Sequence, residues 1–287
     1  MTLPVAILAG GLATRLRPAT GRIPKSLLDV GGKPFVVHQL EVLRYNGLHD
    51  VVLCAGYLGE MIEEVLGDGS RFGVCIRYSY DGPTLLGTGG ALKRALPLLG
   101  EAFFVMYGDS YLECDYGAVE TAFRRAGKLG LMTVFRNRGA WDRSNVEFRN
   151  GRIVRYAKGS RSAHMEYIDW GLSVLRREAF SGYPADEPFD LAELYQDLVV
   201  RDELAAFEVT RRFYEIGSPE GLAETADFLK GAEGGCRAAQ ISERCSRSKY
   251  CARNPSGSPI SRATSSKRNP ASRPPQNHRG PVPGRRT

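Results

Sequence analysis

Over its first half the chain alternates short apolar runs with stretches of helical periodicity, and this alternation limits the fold more tightly than any other feature. Leu3 to Leu8 reads as a short buried strand, Asp50 to Ala55 and Val74 to Tyr78 as a second and third strand, and Ala102 to Tyr107 as an apolar strand. Phe35 to Asn46 carries apolar residues at Phe35, Val36, Leu40 and Leu43 and meets a stop at Gly47, which predicts a helix. Leu58 to Leu66 reads as a second helix, ended by Gly67-Asp68-Gly69. A third opens at Leu86-Gly87-Thr88-Gly89-Gly90-Ala91 and runs to about Leu98. Strands and helices in this order predict an α/β protein with a mostly parallel sheet covered by helices on both faces.

After a further helix, Val119 to Ala126, and a strand, Leu131 to Phe135, the pattern changes. Asn145 to Phe148 and Ile153 to Tyr156 flank a turn containing Asn150-Gly151, which reads as a β-hairpin. Tyr167 to Leu175 follows as another strand. Short antiparallel strands after a parallel core predict a small flap over the same sheet edge. Leu191 to Val200 reads as a helix and Ala205 to Val209 as a strand. Ser218 then caps a helix whose first residue is Pro219.

Charge divides the chain in two. Residues 232–287 hold 12 of the 39 Lys and Arg but 2 of the 32 Asp and Glu, which leaves residues 1–231 with 27 against 30. The first 231 residues are therefore mildly acidic and do not read as a general nucleic-acid binder. Residues 232–287 are rich in Ser, Arg, Pro, Gly and Asn and cannot bury enough apolar surface to fold, so a basic, disordered tail is expected there. Such a tail could contact RNA or an acidic membrane, and a frameshifted or read-through end would have the same composition. No function is attached to it. No apolar run approaches the ~20 residues of a membrane helix, and the amino terminus opens into a strand without a secretion signal. The expectation is a cytoplasmic protein with no membrane partner. The cysteines at 54, 75 and 114 lie in or beside apolar runs and none of the six forms a CxxC pair, so they read as free core thiols and not as zinc ligands.

Chemistry concentrates in a few places. Leu8-Ala9-Gly10-Gly11 follows the first strand, where glycines let backbone N–H groups approach a phosphate or simply form a loop. Arg15 and Arg17 could add forked donors, and Lys25, after Pro24, a compact positive charge. The spacings of the P-loop and of the dinucleotide fingerprint are both absent. Gly87-Thr88-Gly89 at a helix start could hold a nucleobase or phosphate, or form an ordinary turn. Asp109 stands just past a buried strand, at the edge where open α/β sheets bind ligands, although an Asp beside a Gly is more often a turn residue. None of the four histidines sits in a candidate motif, and no Ser-His-Asp or Cys-His arrangement is present.

The full runs LAGGLATRLRP and PKSLLDVGGKP resemble the signature of the sugar-1-phosphate nucleotidyltransferases, and the resemblance covers about residues 3–230. It implies a Rossmann-like mixed, mostly parallel sheet with a small antiparallel sugar-binding flap, and a nucleotidyltransferase domain over residues 1–231. It also implies a nucleoside triphosphate and a sugar 1-phosphate as substrates, with pyrophosphate released. By position, Arg15, Lys25 and Asp109 match catalytic residues. Leu8, Ala9, Gly10, Gly11, Gly87, Thr88 and Gly89 match the nucleotide site. Asn145, Glu147, Lys158 and Gly171 fall where the sugar-phosphate residues lie. Asp109 and Glu215 match the pair that binds Mg2+, with Glu215 standing where many members have aspartate. The chain is most similar to the short bacterial members that act on envelope sugars, with guanylyl transfer from GTP to a mannose- or heptose-type sugar ranked first. Uridylyl transfer from UTP to an amino-sugar or glucose-type sugar ranks second, and a non-catalytic nucleotide-sugar-binding regulator third. Family members often form homo-oligomers, and no stretch here decides that. One departure stands out: the family often has Glu-Lys-Pro where this chain has Ala157-Lys158-Gly159, which keeps the lysine and loses the carboxylate that would bond a sugar hydroxyl.

Overall fold

The computed structural model describes residues 2–11, 16, 21, 23–158 and 164–235. Arg15 and Arg17 lie outside the described residues, as does almost all of the basic tail.

The chain order is β1 (Val5–Leu8), a small hairpin of β2 (Asp29–Val30) and β3 (Lys33–Pro34), α1 (Phe35–Tyr45), β4 (Asp50–Ala55), α2 (Gly59–Leu66), β5 (Cys75–Tyr80), α3 (Gly87–Ala95) and β6 (Ala102–Tyr107). β7 (Ser110–Tyr111), α4 (Tyr116–Ala126), β8 (Gly130–Arg136), β9 (Val146–Arg149), β10 (Arg152–Tyr156) and β11 (Tyr167–Arg176) follow. The described part ends with α5 (Leu191–Val200), β12 (Leu204–Val209), β13 (Tyr214–Glu215) and α6 (Pro219–Gly235).

Nine of these strands form one sheet. β5, β4, β1 and β6 lie side by side and parallel. β11 runs antiparallel between β6 and β8, and β12 pairs parallel with β8. The predicted hairpin is β9–β10, with Asn150 and Gly151 both at positive φ in its turn. It joins the main sheet through the pairing of Val146 with Tyr167 at the start of β11.

Period-two alternation within the strands explains the cover on both faces. Val5, Ile7, Val51, Leu53, Phe104 and Met106 point to one core, which is closed by α1, α4 and α6 through Phe35, Leu40, Phe123 and Leu229. Ala6, Val52, Cys54, Phe103 and Val105 point to the other, closed by α3 and α5 through Leu92, Leu194 and Leu198. Three helix starts are capped by side chains, the one at Ser218 as expected. Asp115 accepts the Ala118 amide at α4, Asp190 and Glu193 form a capping box at α5, and Ser218 accepts the Gly221 amide at α6. Cys54 is buried, and burial pushes its thiol pKa up to about 12. Cys75 departs from expectation: it opens β5 and is exposed, because strand alternation turns it outward.

Candidate functional site

The sheet order puts the carboxyl ends of β6, β1, β4 and β5 in a row, and the strand order reverses at β1, the position at which open α/β sheets hold ligands. A cavity of about 450 Å³ opens there, within the range of small-molecule sites. Its walls include Leu8, Ala9, Gly10 and Gly11 after β1, Lys25, and Gly108 with Asp109 after β6. Gly87 and Thr88 at the start of α3 close another side. The described residues thus bring together four separate segments that the sequence singled out.

Lys25 Nζ and Asp109 Oδ2 lie 2.9 Å apart, with the two side chains only 19% and 31% exposed. The turn that carries Asp109 is held from below. Gln39, buried on α1, donates from Nε2 to the carbonyls of Tyr107 at 2.9 Å and Ser110 at 2.8 Å, one on each side of Gly108-Asp109. From the far side, the Ile216 amide donates to the Asp109 carbonyl at 2.9 Å, and β13 pairs with β7 so that Glu215 stands opposite Ser110. Asp109, in the turn before β7, and Glu215, on β13, are therefore brought to neighbouring backbone positions, although they stand 106 positions apart in sequence. The Glu215 carboxylate lies over Gly217, just before α6, and over Gly221 in its first turn, where the helix dipole favours negative charge. Among the described residues no group of three or more His, Cys, Asp or Glu could hold a metal. A pair of hard carboxylate oxygens does fit Mg2+, which takes one or two carboxylates and completes its shell with substrate phosphate and water.

The glycines divide by task. A Cβ on Gly10 would sit 3.0 Å from the Gly56 amide nitrogen, so Gly10 is required for the β1 and β4 loops to touch, whereas Gly11 faces open space. Gly89 stands back from the cavity: a side chain there would run into the Phe189 ring, and its amide donates to the Phe189 carbonyl at 3.0 Å. Of the three residues expected at this loop, Gly87 and Thr88 line the cavity, while Gly89 seats the segment before α5. The Thr88 hydroxyl is itself engaged, donating to Asp190 at 3.1 Å and accepting the Leu191 amide at 2.8 Å.

None of Asn145, Glu147, Lys158 and Gly171 is among the described residues that line the cavity. Asn145 accepts the Asp169 amide at 2.9 Å, and Asp169 accepts the Gly171 amide at 3.0 Å, so these residues shape the irregular stretch of β11. Glu147 pairs with Arg149 at 2.9 Å. Lys158 pairs with Asp190 at 2.9 Å, which joins the hairpin end to Thr88 through one carboxylate. Burial works against the Asp190 charge, but the Ala192 amide, Lys158 and Thr88 outweigh it and hold its carboxyl below the usual range. Asp169 shows the opposite balance. Burial raises it to about 6, against the Gly171 amide and the charge of Lys158, which lower it.

Seven cavity-wall residues were not singled out as site residues, among them the polar Ser26, Tyr107 and Asp81. Like Asp109, Asp81 stands just past a strand of the main sheet, although β5 is mostly half-buried where β6 is buried. It was hidden because periodicity ends β5 at Tyr78, whereas the strand continues to Tyr80.

Residues 5–145 match the sequence model of the nucleotidyl transferase family. Over 124 residues the chain is 44% identical to an N-acetylmuramate alpha-1-phosphate uridylyltransferase of Neisseria meningitidis, covering 43% of this chain and 52% of that one. It is 27% identical over 215 residues to a D-glycero-alpha-D-manno-heptose 1-phosphate guanylyltransferase of Campylobacter jejuni, covering 75% and 94%. The chain spans about half the length of some of the curated relatives it matches, the Neisseria protein among them. The crystal structure of HddC from Yersinia pseudotuberculosis superposes with a TM-score of 0.67 at 25% identity, covering 79% of this chain and all of the other. The fold is that of these proteins, a mixed, mostly parallel Rossmann-like sheet. No helix among the described residues is long and apolar enough to cross a membrane.

Proposed function

We propose, from the match of residues 5–145 to the nucleotidyl transferase family, that the chain joins a nucleoside triphosphate to a sugar 1-phosphate and releases pyrophosphate. The observation that carries this reading is the Lys25–Asp109 pair facing the same cavity as Gly10-Gly11 and Gly87-Thr88. A phosphate oxygen of the sugar 1-phosphate attacks the α-phosphorus, the new P–O bond forms in line, and the bond to the β-phosphate oxygen breaks. The attacking oxygen is already anionic near neutral pH because its second pKa is about 6, so no general base is needed. The difficulty is bringing one anion to another, and positive charge and positioning answer it.

In this reading the Gly10-Gly11 backbone and Arg15 hold the triphosphate, with Leu8, Ala9, Gly87, Thr88 and Gly89 framing the nucleotide. Lys25 neutralises charge growing around the α-phosphate. Lys158 meets the incoming sugar phosphate after releasing Asp190, and Asn145, Glu147 and Gly171 shape the sugar side. Asp109 and Glu215 would hold Mg2+, which when bound supplies positive charge shared between the two phosphates. For Lys25 this means that its bond to Asp109 must loosen when substrate arrives.

GTP ranks first and UTP second, and the sugar is of the mannose or heptose type, in keeping with the Campylobacter relative that is matched over 94% of its length. The product would feed envelope polysaccharide synthesis in the cytoplasm. Pyrophosphate release from GTP, UTP, CTP, dTTP and ATP, each paired with mannose, glucose, heptose and muramic-acid 1-phosphates, tests the reading. Release is expected with one nucleotide and one sugar phosphate together. A folded protein that binds a nucleotide sugar yet releases nothing from any pair would instead be a sensor.

A further inference from the structure

Helix α1 buries a polar side chain at a position where its pattern calls for an apolar one. Gln39 lies one turn from Phe35 and Val36, beside Leu40, and is 1% exposed. An amide is costly there unless its hydrogen bonds are made. Its Nε2 spends both hydrogens, on the Tyr107 and Ser110 carbonyls. Its Oε1 is buried without a partner. Only the NH2 end of an amide can meet two carbonyls, so the turn between β6 and β7 dictates which way the side chain faces. The unpaired oxygen is the consequence.

Those two carbonyls bracket Gly108 and Asp109, so a single nitrogen fixes the span of the turn. On the Tyr107 side, the turn is pressed against β1. The Gly108 amide donates to the Leu8 carbonyl at 2.9 Å, and a Cβ there would come within 2.7 Å of the same oxygen. On the other side, Ser110 donates its hydroxyl to Asp109 Oδ1 at 3.3 Å, while Lys25 holds Oδ2. Ser110 is also the residue that pairs with Glu215 across β7 and β13. The Gln39 amide therefore underlies the backbone of both carboxylates. Gln39 is not among the described residues of the cavity wall, so it acts on them through that backbone.

Resting on the reading of Asp109 and Glu215 as the Mg2+ pair, we infer that Gln39 is a positioning residue for the metal, its two bonds setting how the carboxylates stand to each other. Mg2+ demands near-ideal octahedral geometry and tolerates little error in its ligands. Groups that orient metal ligands typically carry about tenfold to a hundredfold in metal affinity.

Mn2+ binding to the full chain, read from the free-ion electron paramagnetic resonance signal, tests this in wild type, Gln39→Met and Asp109→Asn. Methionine fills a similar volume and donates nothing. Gln39→Met should bind Mn2+ about tenfold more weakly than wild type, and the Mg2+ concentration for half-maximal pyrophosphate release should rise by a similar factor. Nucleotide affinity measured in EDTA should stay within about twofold, because no nucleotide contact is lost. Gln39→Asn, whose amide is one methylene short of spanning both carbonyls, should also weaken Mn2+ binding, and it serves if the Met variant does not fold. A variant that melts at lower temperature yet keeps full Mn2+ affinity would overturn the inference, leaving Gln39 a structural residue and Asp109 a metal ligand. Equal Mn2+ affinity in wild type and Asp109→Asn would overturn the metal reading and this inference with it.

Discussion

The two sides of the molecule keep their charged groups in opposite ways. On the β5-β4-β1-β6 side, Lys25 and Asp109 are part-buried, pair with each other and face a common cavity with the Gly10-Gly11 backbone. On the β8-to-β11 side, Asn145, Glu147 and Lys158 are each satisfied by a neighbour outside the described cavity wall. In the proposed reaction the difference would follow from what each side handles. A triphosphate would be met by backbone amides and fixed charges at strand ends, which a short contiguous motif can supply. Recognition of a second, variable substrate would fall to side chains distributed over a hairpin, where each polar group has a partner of its own.

Substitutions can break this contrast, starting with the largest expected effect. Lys25→Ala should lower kcat about a hundredfold to a thousandfold, as loss of a single charge-stabilising donor does, with circular dichroism unchanged. Near-normal turnover would remove Lys25 from the chemistry. Lys158→Ala should instead raise the KM for sugar 1-phosphate about tenfold to a hundredfold and leave nucleotide affinity in place. If nucleotide affinity fell equally, the two sides would not be separable. Thr88→Val loses both the bond to Asp190 and the acceptor for the Leu191 amide, and should cost about 2 kcal/mol in a urea melt.

Asp169 sharpens the comparison through pH. Its pKa of about 6 lies above the ordinary 3.8, so the folded protein holds this proton more tightly than the unfolded chain. The native state is therefore penalised as pH rises from about 4 through 6, and the penalty persists above that. Asp169→Asn keeps an oxygen for the Gly171 amide and removes the charge. It should be more stable than the wild type by about 1–2 kcal/mol at pH 8, a value discounted for a half-buried group, and nearly equal to it at pH 4. Equal stability at pH 8 would show that the carboxylate is not penalised.

Much of this was legible in sequence because it depends on short range. Alternation within Asp50–Ala55 and Ala102–Tyr107 reports two buried sheet faces, and both strands have the bounds that periodicity gives them. Gly10-Gly11 and Asp109 declare themselves by following such strands. The pairing that sets Glu215 opposite Ser110, the seat of Phe189 against Gly89, and the Lys158–Asp190–Thr88 junction all bridge residues far apart in the chain. No local period encodes such contacts. Asp81 fell between the two cases: its signal was local, but the Ser79-Tyr80 end of β5 faces partly outward and blurs the strand's boundary.

Turnover of GTP labelled at the α-phosphate, in the presence of Mg2+ and a mannose- or heptose-type sugar 1-phosphate, tests the proposed reaction most directly. The expected result is label in a sugar nucleotide, unlabelled pyrophosphate, and no reaction when the sugar phosphate is left out. Label released as GMP or GDP without the sugar phosphate would contradict transfer and identify a hydrolase.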